Sequence, residues 1–263
     1  MDEKLFGVES MSAPRVIPVI CIEQGKMVKT VKFKNPNYIG DPINAIRIFN
    51  DKEVDELAIL DIRASKLNQE PNYTLIQEMA SECFMPISYG GGIQTVEQAG
   101  KLFELGIEKV ILGSALLNDQ TVLREFSDTF GSQSIVACIE YKKNWLGKIK
   151  VTGVSGNKSI NDEMEDYATS LQENGCGEIL LNNVDMDGTF NGVDITLTKN
   201  IINRVSVPVI SCGGLASVDE IYHAQQVGIT AIAGGSFFVY KNNNPQSILI
   251  SYPAKKLSSI AAN

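Results

Sequence analysis

The sequence predicts an α/β protein, a (β/α)8 TIM barrel with a twofold half-barrel repeat, and three observations carry that prediction. Short apolar, β-branched runs alternate with amphipathic helical stretches along the chain, the pattern of a parallel sheet covered by helices. The punctuation occurs twice: Gly90-Gly91-Gly92-Ile93 followed by Gly113-Ser114 returns as Cys212-Gly213-Gly214-Leu215 followed by Gly235-Ser236, at a constant offset of 122 residues. A unit of that length is too long for a solenoid repeat and reads as half of one closed fold. The length of 263 residues suits a barrel of eight strand–helix units. An open doubly wound sheet is the competing arrangement, and the repeat favours closure, because two halves can then meet around a pseudo-twofold axis.

Taken in order, the predicted strands are 16–22, 57–62, 86–89, 109–112, 135–140, 178–182, 207–212 and 231–233. The first is almost unbroken in valine and isoleucine. Glu56 before Leu-Ala-Ile-Leu and Glu178 before Ile-Leu-Leu open the second and sixth at the same offset of 122. Helices 96–104 and 218–226 place apolar residues three and four apart and run out at Gly106 and Gly228, as helix C-termini do. The lysine run Lys29, Lys32, Lys34 reads as the solvated face of the first loop, or as an active-site lid in which Lys29 reaches a phosphate.

Composition narrows the function classes. A net charge of −8 supplies no basic surplus for a nucleic-acid backbone. Five cysteines without a CxxC pair argue against a disulfide framework and for reduced thiols in a cytoplasmic protein. The apolar runs fall short of the ~20 residues of a membrane span, so no membrane partner is expected. Residues 1–10 lack a basic start and an apolar core, so 1–13 read as a leader or disordered N-terminus before a single barrel over 14–263. The one histidine, His223, falls on a predicted outer helix, and the chain shows no metal-ligand spacing and no cofactor motif.

In barrels of this class chemistry sits at the C-terminal ends of the strands. There, Gly91, Gly92, Gly113 and Ser114 in one half and Gly213, Gly214, Gly235 and Ser236 in the other form two candidate phosphate cradles, the serines falling at predicted helix starts. Tight turns are the plainer reading of either set alone; the pair suits a long ligand with a phosphate at each end. At the opposite ends of the strands, Arg15, Glu56, Lys109 and Glu178 stand at or beside strand starts, and alternate strands feed the same barrel layer. They form either surface ion pairs or a closed ring of two acids and two bases on the barrel floor. Asp61 and Asp187 lie near strand ends, where they either touch substrate or cap the local backbone.

The chain resembles the HisF family, the cyclase subunit of imidazole glycerol phosphate synthase. The resemblance runs over 14–238 and rests on 15–30, Gly40-Asp41-Pro42, 55–65, Tyr89-Gly90-Gly91-Gly92-Ile93, Phe130-Gly131-Ser132-Gln133 and 177–189 with its Asp-Met-Asp-Gly-Thr, which ends on Thr189. It implies a barrel that receives ammonia from a HisH-like glutaminase docked on its floor, through a gate matched by Arg15, Glu56, Lys109 and Glu178. It also implies that the two glycine cradles bind a doubly phosphorylated small molecule, with Lys29, Asp61, Asp187 and Thr189 as further substrate contacts. The family's two catalytic aspartates, at the ends of the first and fifth strands, are replaced here by Cys21 and Glu140. Glutamate keeps a carboxyl one methylene further out; cysteine offers a neutral thiol or a small buried filler.

Lys29-Thr30-Val31-Lys32-Phe33-Lys34, 38–50 and Leu249-Ile250-Ser251-Tyr252-Pro253 resemble HisF-like paralogues associated with acetamidino sugars of lipopolysaccharide and related glycans. Those paralogues imply a separate sugar amidotransferase as a further partner. Three functional expectations follow: a nitrogen-transfer subunit for surface-sugar amidination, an imidazole glycerol phosphate synthase cyclase, or a non-catalytic barrel that activates a glutaminase.

Overall fold

A computed structural model describes residues 14–117, 119–153, 159–160, 163–254 and 257, so the leader expected at 1–13 lies outside the described residues. Eight parallel strands close into a barrel in the order β1 (Arg15–Glu23), β4 (Leu57–Asp61), β5 (Ile87–Gly90), β6 (Lys109–Leu112), β7 (Ile135–Lys143), β10 (Glu178–Asn183), β11 (Val209–Cys212), β12 (Ala231–Gly234) and back to β1. The eight predicted strands are these eight, displaced by no more than a few residues at their ends.

The helices α1 (Pro42–Asp51), α2 (Tyr73–Glu82), α3 (Val96–Glu104), α4 (Val122–Phe130), α5 (Met164–Glu173), α6 (Ile195–Ile202) and α7 (Val218–Gln226) lie between the strands. Their starts are written in the sequence. Asp41 caps α1 by accepting from Ile43 N at 2.7 Å, ahead of Pro42, and Thr95 with Gln98 forms a reciprocal capping box on α3. His223 is exposed on α7.

Strand alternation divides the apolar residues into two cores. Val16, Ile20, Ile59, Leu112, Ile179 and their neighbours face outward and pack under the helices with Phe49, Phe126 and Ile201. Ile17, Val19, Ala58, Ile111, Val136, Leu180, Ile210, Ala231 and Ala233 face inward and fill the barrel axis.

Two additions depart from the sequence prediction. The expected first loop is an antiparallel hairpin, β2 (Lys26–Val31) and β3 (Lys34–Gly40), with β2 paired to the upper end of β1. The fifth barrel strand runs on past Glu140 to Lys143 and turns back as β8 (Ile149–Thr152), which pairs with the short β9 (Ser159–Ile160). Both hairpins carry lysines and polar residues at strand positions, so their periodicity resembles loop sequence. Among the described residues no helix is long and apolar enough to cross a membrane.

Phe126, 2% exposed in the outer core, tests the packing: Phe126→Ala is expected to lower unfolding stability by about 3–5 kcal/mol, read as an earlier denaturant midpoint at unchanged slope.

Candidate functional site

The floor of the barrel is built first by register. Arg15, Glu56, Lys109 and Glu178 reach the axis from β1, the residue before β4, β6 and β10, and Ala231, the Cα partner of Arg15 on β12, adds no further charge. The four close a ring. Arg15 Nη1 donates to Glu56 Oε2 at 2.6 Å and Arg15 Nη2 to Glu178 Oε1; Lys109 Nζ donates to Glu178 Oε2 at 2.9 Å and to Glu56 Oε1 at 3.3 Å. Each carboxylate therefore gives one oxygen to each cation. Both acids are buried and both bases are partly exposed, so these are not surface pairs. Burial works against the Arg15 guanidinium, but Glu178 and Glu56 hold its pKa above the ordinary value.

Above the ring the inward side chains are Ile17, Ala58, Ile111, Val136, Leu180 and Ile210, a largely apolar layer in which the one hydroxyl, that of Ser88 on β5, is turned to the backbone and donates to Leu57 O at 3.3 Å. Beyond it, a cavity of about 420 Å³ opens at the C-terminal ends of the strands. Its wall includes Cys21, Lys29, Asp61, Glu140, Asn182 and Asp187, and the β2–β3 hairpin contributes Phe33, Lys34, Asn35 and Pro36. The hairpin is tied across the mouth: Thr30 Oγ1 donates to Asp187 Oδ2 at 3.0 Å, and Lys32 N donates to Asp187 O at 2.9 Å.

Lys29 is not on a solvated face. It is 5% exposed, its Nζ donates to Val19 O at 2.5 Å and to Cys21 Sγ at 3.7 Å, and a Cβ on Gly235 would collide with that nitrogen. The hairpin turns this lysine inward, so one cation lies against the Gly235 turn. Gly91, Gly113, Ser114 and Gly235 also line the cavity. Gly91 has φ +127°, and a Cβ there would come within 2.6 Å of Asp61 O, so only glycine lets this turn close.

Four other candidate phosphate positions lie outside the wall. Gly92 N is engaged with Ser65 Oγ at 3.2 Å, Gly213 packs on Asn183, Gly214 O accepts from Gly192 N at 2.9 Å, and Ser236 opens a 3-10 turn. Ser114 stands in a turn well before α4, not at the predicted helix start. Thr189 donates its hydroxyl to Met186 O at 2.8 Å, serving its own loop. Asp61 combines both expected roles: it caps the Arg63 and Ala64 amides, each at 3.0 Å, and also faces the cavity.

The buried carboxyls and thiols of the cavity are pushed toward their neutral forms. Burial, reinforced by the charge of Asp187 and only partly opposed by Lys142, lifts the Glu140 carboxyl to about 8. Among the described residues its Oε2 has no hydrogen-bond partner, nor does Oδ1 of Asn182, its Cα partner on β10. Burial raises Asp187 too, against Lys29 and the Thr30 hydroxyl. Burial raises the Cys21 thiol despite Lys29, and lifts the neighbouring Cys212 to about 12. Asn182, Cys138 and Cys212 were not singled out from sequence; counting every second residue inward from Glu178 would have reached Asn182.

Comparison with known proteins adds a family. Residues 15–244 match the family model described as histidine biosynthesis protein. A relative from Pseudomonas aeruginosa, provisionally named imidazole glycerol phosphate synthase subunit hisF2, is 50% identical over 240 residues, covering 91% of this chain and 95% of its own. The provisionally named imidazole glycerol phosphate synthase subunit HisF of Leptospira interrogans is 41% identical over 248 residues, 94% and 97% of the two chains. Imidazole glycerol phosphate synthase subunit HisF of Streptomyces coelicolor is 34% identical over 226 residues, 86% and 90% of the two.

The raised Glu140 carboxyl makes a pH prediction. Its folded pKa lies above its unfolded one, so the folded chain binds the proton more tightly and loses stability as pH climbs from the ordinary glutamate range through about 8. Glu140→Gln removes that penalty: its stability gain over the parent is expected to be near zero at pH 4 and to reach about 1–3 kcal/mol above pH 8. Melting of both proteins across that range checks it, and a gain independent of pH would sink the assignment.

Proposed function

The chain belongs to the histidine biosynthesis protein family as a HisF-like imidazole glycerol phosphate synthase subunit, and from that premise we propose that it carries ammonia through its barrel for acetamidino-sugar formation in surface-glycan synthesis. The ammonia comes from a HisH-like glutaminase docked on the floor, and a separate sugar amidotransferase takes the nitrogen. The observation that carries this reading is a closed charge ring beneath a cavity that lacks a carboxylate base at Cys21.

Ring closure keeps water and ions out of the axis while both acids hold both cations. Exchange of one Lys109 or Arg15 contact opens a path without leaving any charge unpaired, since each carboxylate keeps its other partner. The apolar layer above favours neutral ammonia over ammonium, which would enter without a counter-charge. At the upper end, ring closure of an imidazole would need both a proton donor and a proton acceptor. Glu140, lifted to about 8, is mainly a donor near neutral pH, and the raised Cys21 thiol is no carboxylate acceptor. On this reading the ring and the layer above it serve transfer, while position 21 no longer offers the carboxylate that cyclisation would use there.

A second reading, the histidine-pathway cyclase, is favoured by Gly91, Gly113 and Gly235 lining the same cavity as Glu140 and Lys29, which suits a ligand with two phosphates. The third, a non-catalytic activator of a glutaminase, predicts partner stimulation that survives Glu140→Gln.

Turnover of the histidine-pathway bisphosphate by the purified chain with saturating ammonium separates the first two readings. No product is expected; robust product would make this a histidine enzyme in which Cys21 and Glu140 suffice. In the assembled glutamine-dependent system, Glu178→Ala is expected to leave glutamine hydrolysis running while nitrogen transfer falls by roughly tenfold or more. Equal transfer by the variant would remove the ring from the ammonia path.

A further inference from the structure

The β7–β8 hairpin rises from the barrel directly beyond Glu140 and ends in the chain's one tryptophan. Trp145 is 91% exposed and the adjoining Leu146 69%. The tip is nevertheless held in one shape. Asn144 Oδ1 accepts from Leu146 N at 3.0 Å and from Lys148 N at 2.8 Å, while Asn144 N donates to Lys148 O and Gly147 N to Asn144 O.

The base is held as well: Lys143 N donates to Asp185 Oδ2 at 3.0 Å, the Lys143 ammonium pairs with Asp194, and Tyr141 Oη donates to Asp194 Oδ2 at 3.3 Å. Asp194 also caps α6, so the hairpin is fixed to the barrel. Lys142 and Lys150 are Cα partners across the antiparallel ladder, and Lys148 follows at the turn. Like charges placed directly opposite on a ladder repel, and the repulsion is relieved by an anionic surface laid over them. A rigid, exposed indole beside a cationic rim is the composition of an interface anchor.

We propose that this hairpin docks an acidic partner protein over the cavity mouth, with Trp145 seated in an apolar pocket of that partner and Lys142, Lys148 and Lys150 facing its carboxylates. The partner is the enzyme that accepts nitrogen from this barrel, a statement that rests on the transfer reading above. The place of the hairpin supports a protein that caps the cavity: β7 runs from the cavity wall at Glu140 straight into the Lys142–Lys150 arm, so a protein gripping the tip covers the opening.

The full chain labelled with 5-fluorotryptophan gives a single fluorine resonance from position 145. That resonance is expected to shift when the purified sugar amidotransferase from the same organism is added. Trp145→Ala, and separately Lys142→Glu with Lys150→Glu, are expected to weaken amidotransferase binding by about tenfold or more, with binding of the purified glutaminase at the floor unchanged. Amidotransferase binding equal in parent and variants would overturn the hairpin assignment and leave the transfer reading standing. An amidotransferase that binds neither, with the glutaminase also indifferent to the chain, would remove both. A resonance that instead responds to phosphatidylglycerol vesicles, or to the chain's own concentration, would replace the proposed partner with a membrane surface or a second copy.

Discussion

Everything on the axis of this protein follows from strand alternation in a sheet that has no edge. Closure leaves an inward residue no place except the axis, so every second residue of a strand enters the axis and alternate strands share a layer. On β1 that series is Arg15, Ile17, Val19 and Cys21; on β7 it is Val136, Cys138 and Glu140. A charged floor, an apolar middle and a polar mouth are stacked because the sequence repeats charge, then aliphatic, then functional residue at every second position. Moving any of these strands by one residue would send its whole set into the outer core and bring the outer set onto the axis.

The two polar layers solve the cost of burial in opposite ways. At the floor, each of two acids is paired with both of two bases in a closed ring. At the mouth, Lys29 faces Asp187, Cys21 and Cys212 and Lys142 acts on Glu140, yet burial outweighs these cations and drives the pKa values of all four groups, and of Cys138, upward. The floor is therefore held by mutual ion pairing, whereas the mouth holds carboxyls and thiols whose ionisation a bound ligand can change.

Barrel strands and the charge ring were legible because their signals are strong and local: β-branched runs, glycine punctuation and an offset that places Glu56 and Glu178 in equivalent positions. The hairpins were not legible. Lys29-Thr30-Val31 reads as polar loop, since Lys29 is buried by a fold-back onto Cys21 and Asp187 that no short-range pattern encodes. Asn182 is a different case: alternation from Glu178 turns it inward, and only the pairing of β10 with β7 sets it opposite Glu140. Glycine types were visible but their division was not, because whether Gly91 faces a cavity or Gly214 faces Gly192 is decided by the loops they meet.

The layers also differ in how much substitution they tolerate, and this bears on how one barrel serves different chemistry. Removing one acid from the floor leaves Arg15 and Lys109 sharing a single carboxylate inside the barrel, a loss that breaking a buried pair makes costly. Cys21 and Cys138 are partly buried and pack at the margin of the inner core. A carboxylate exchanged for a thiol at position 21 therefore changes proton chemistry without disturbing closure, while Lys29, already bonded to Val19 O, does not depend on that side chain for its place. A change at position 21 can therefore alter the proton chemistry of the mouth while the charge ring at the floor stays intact.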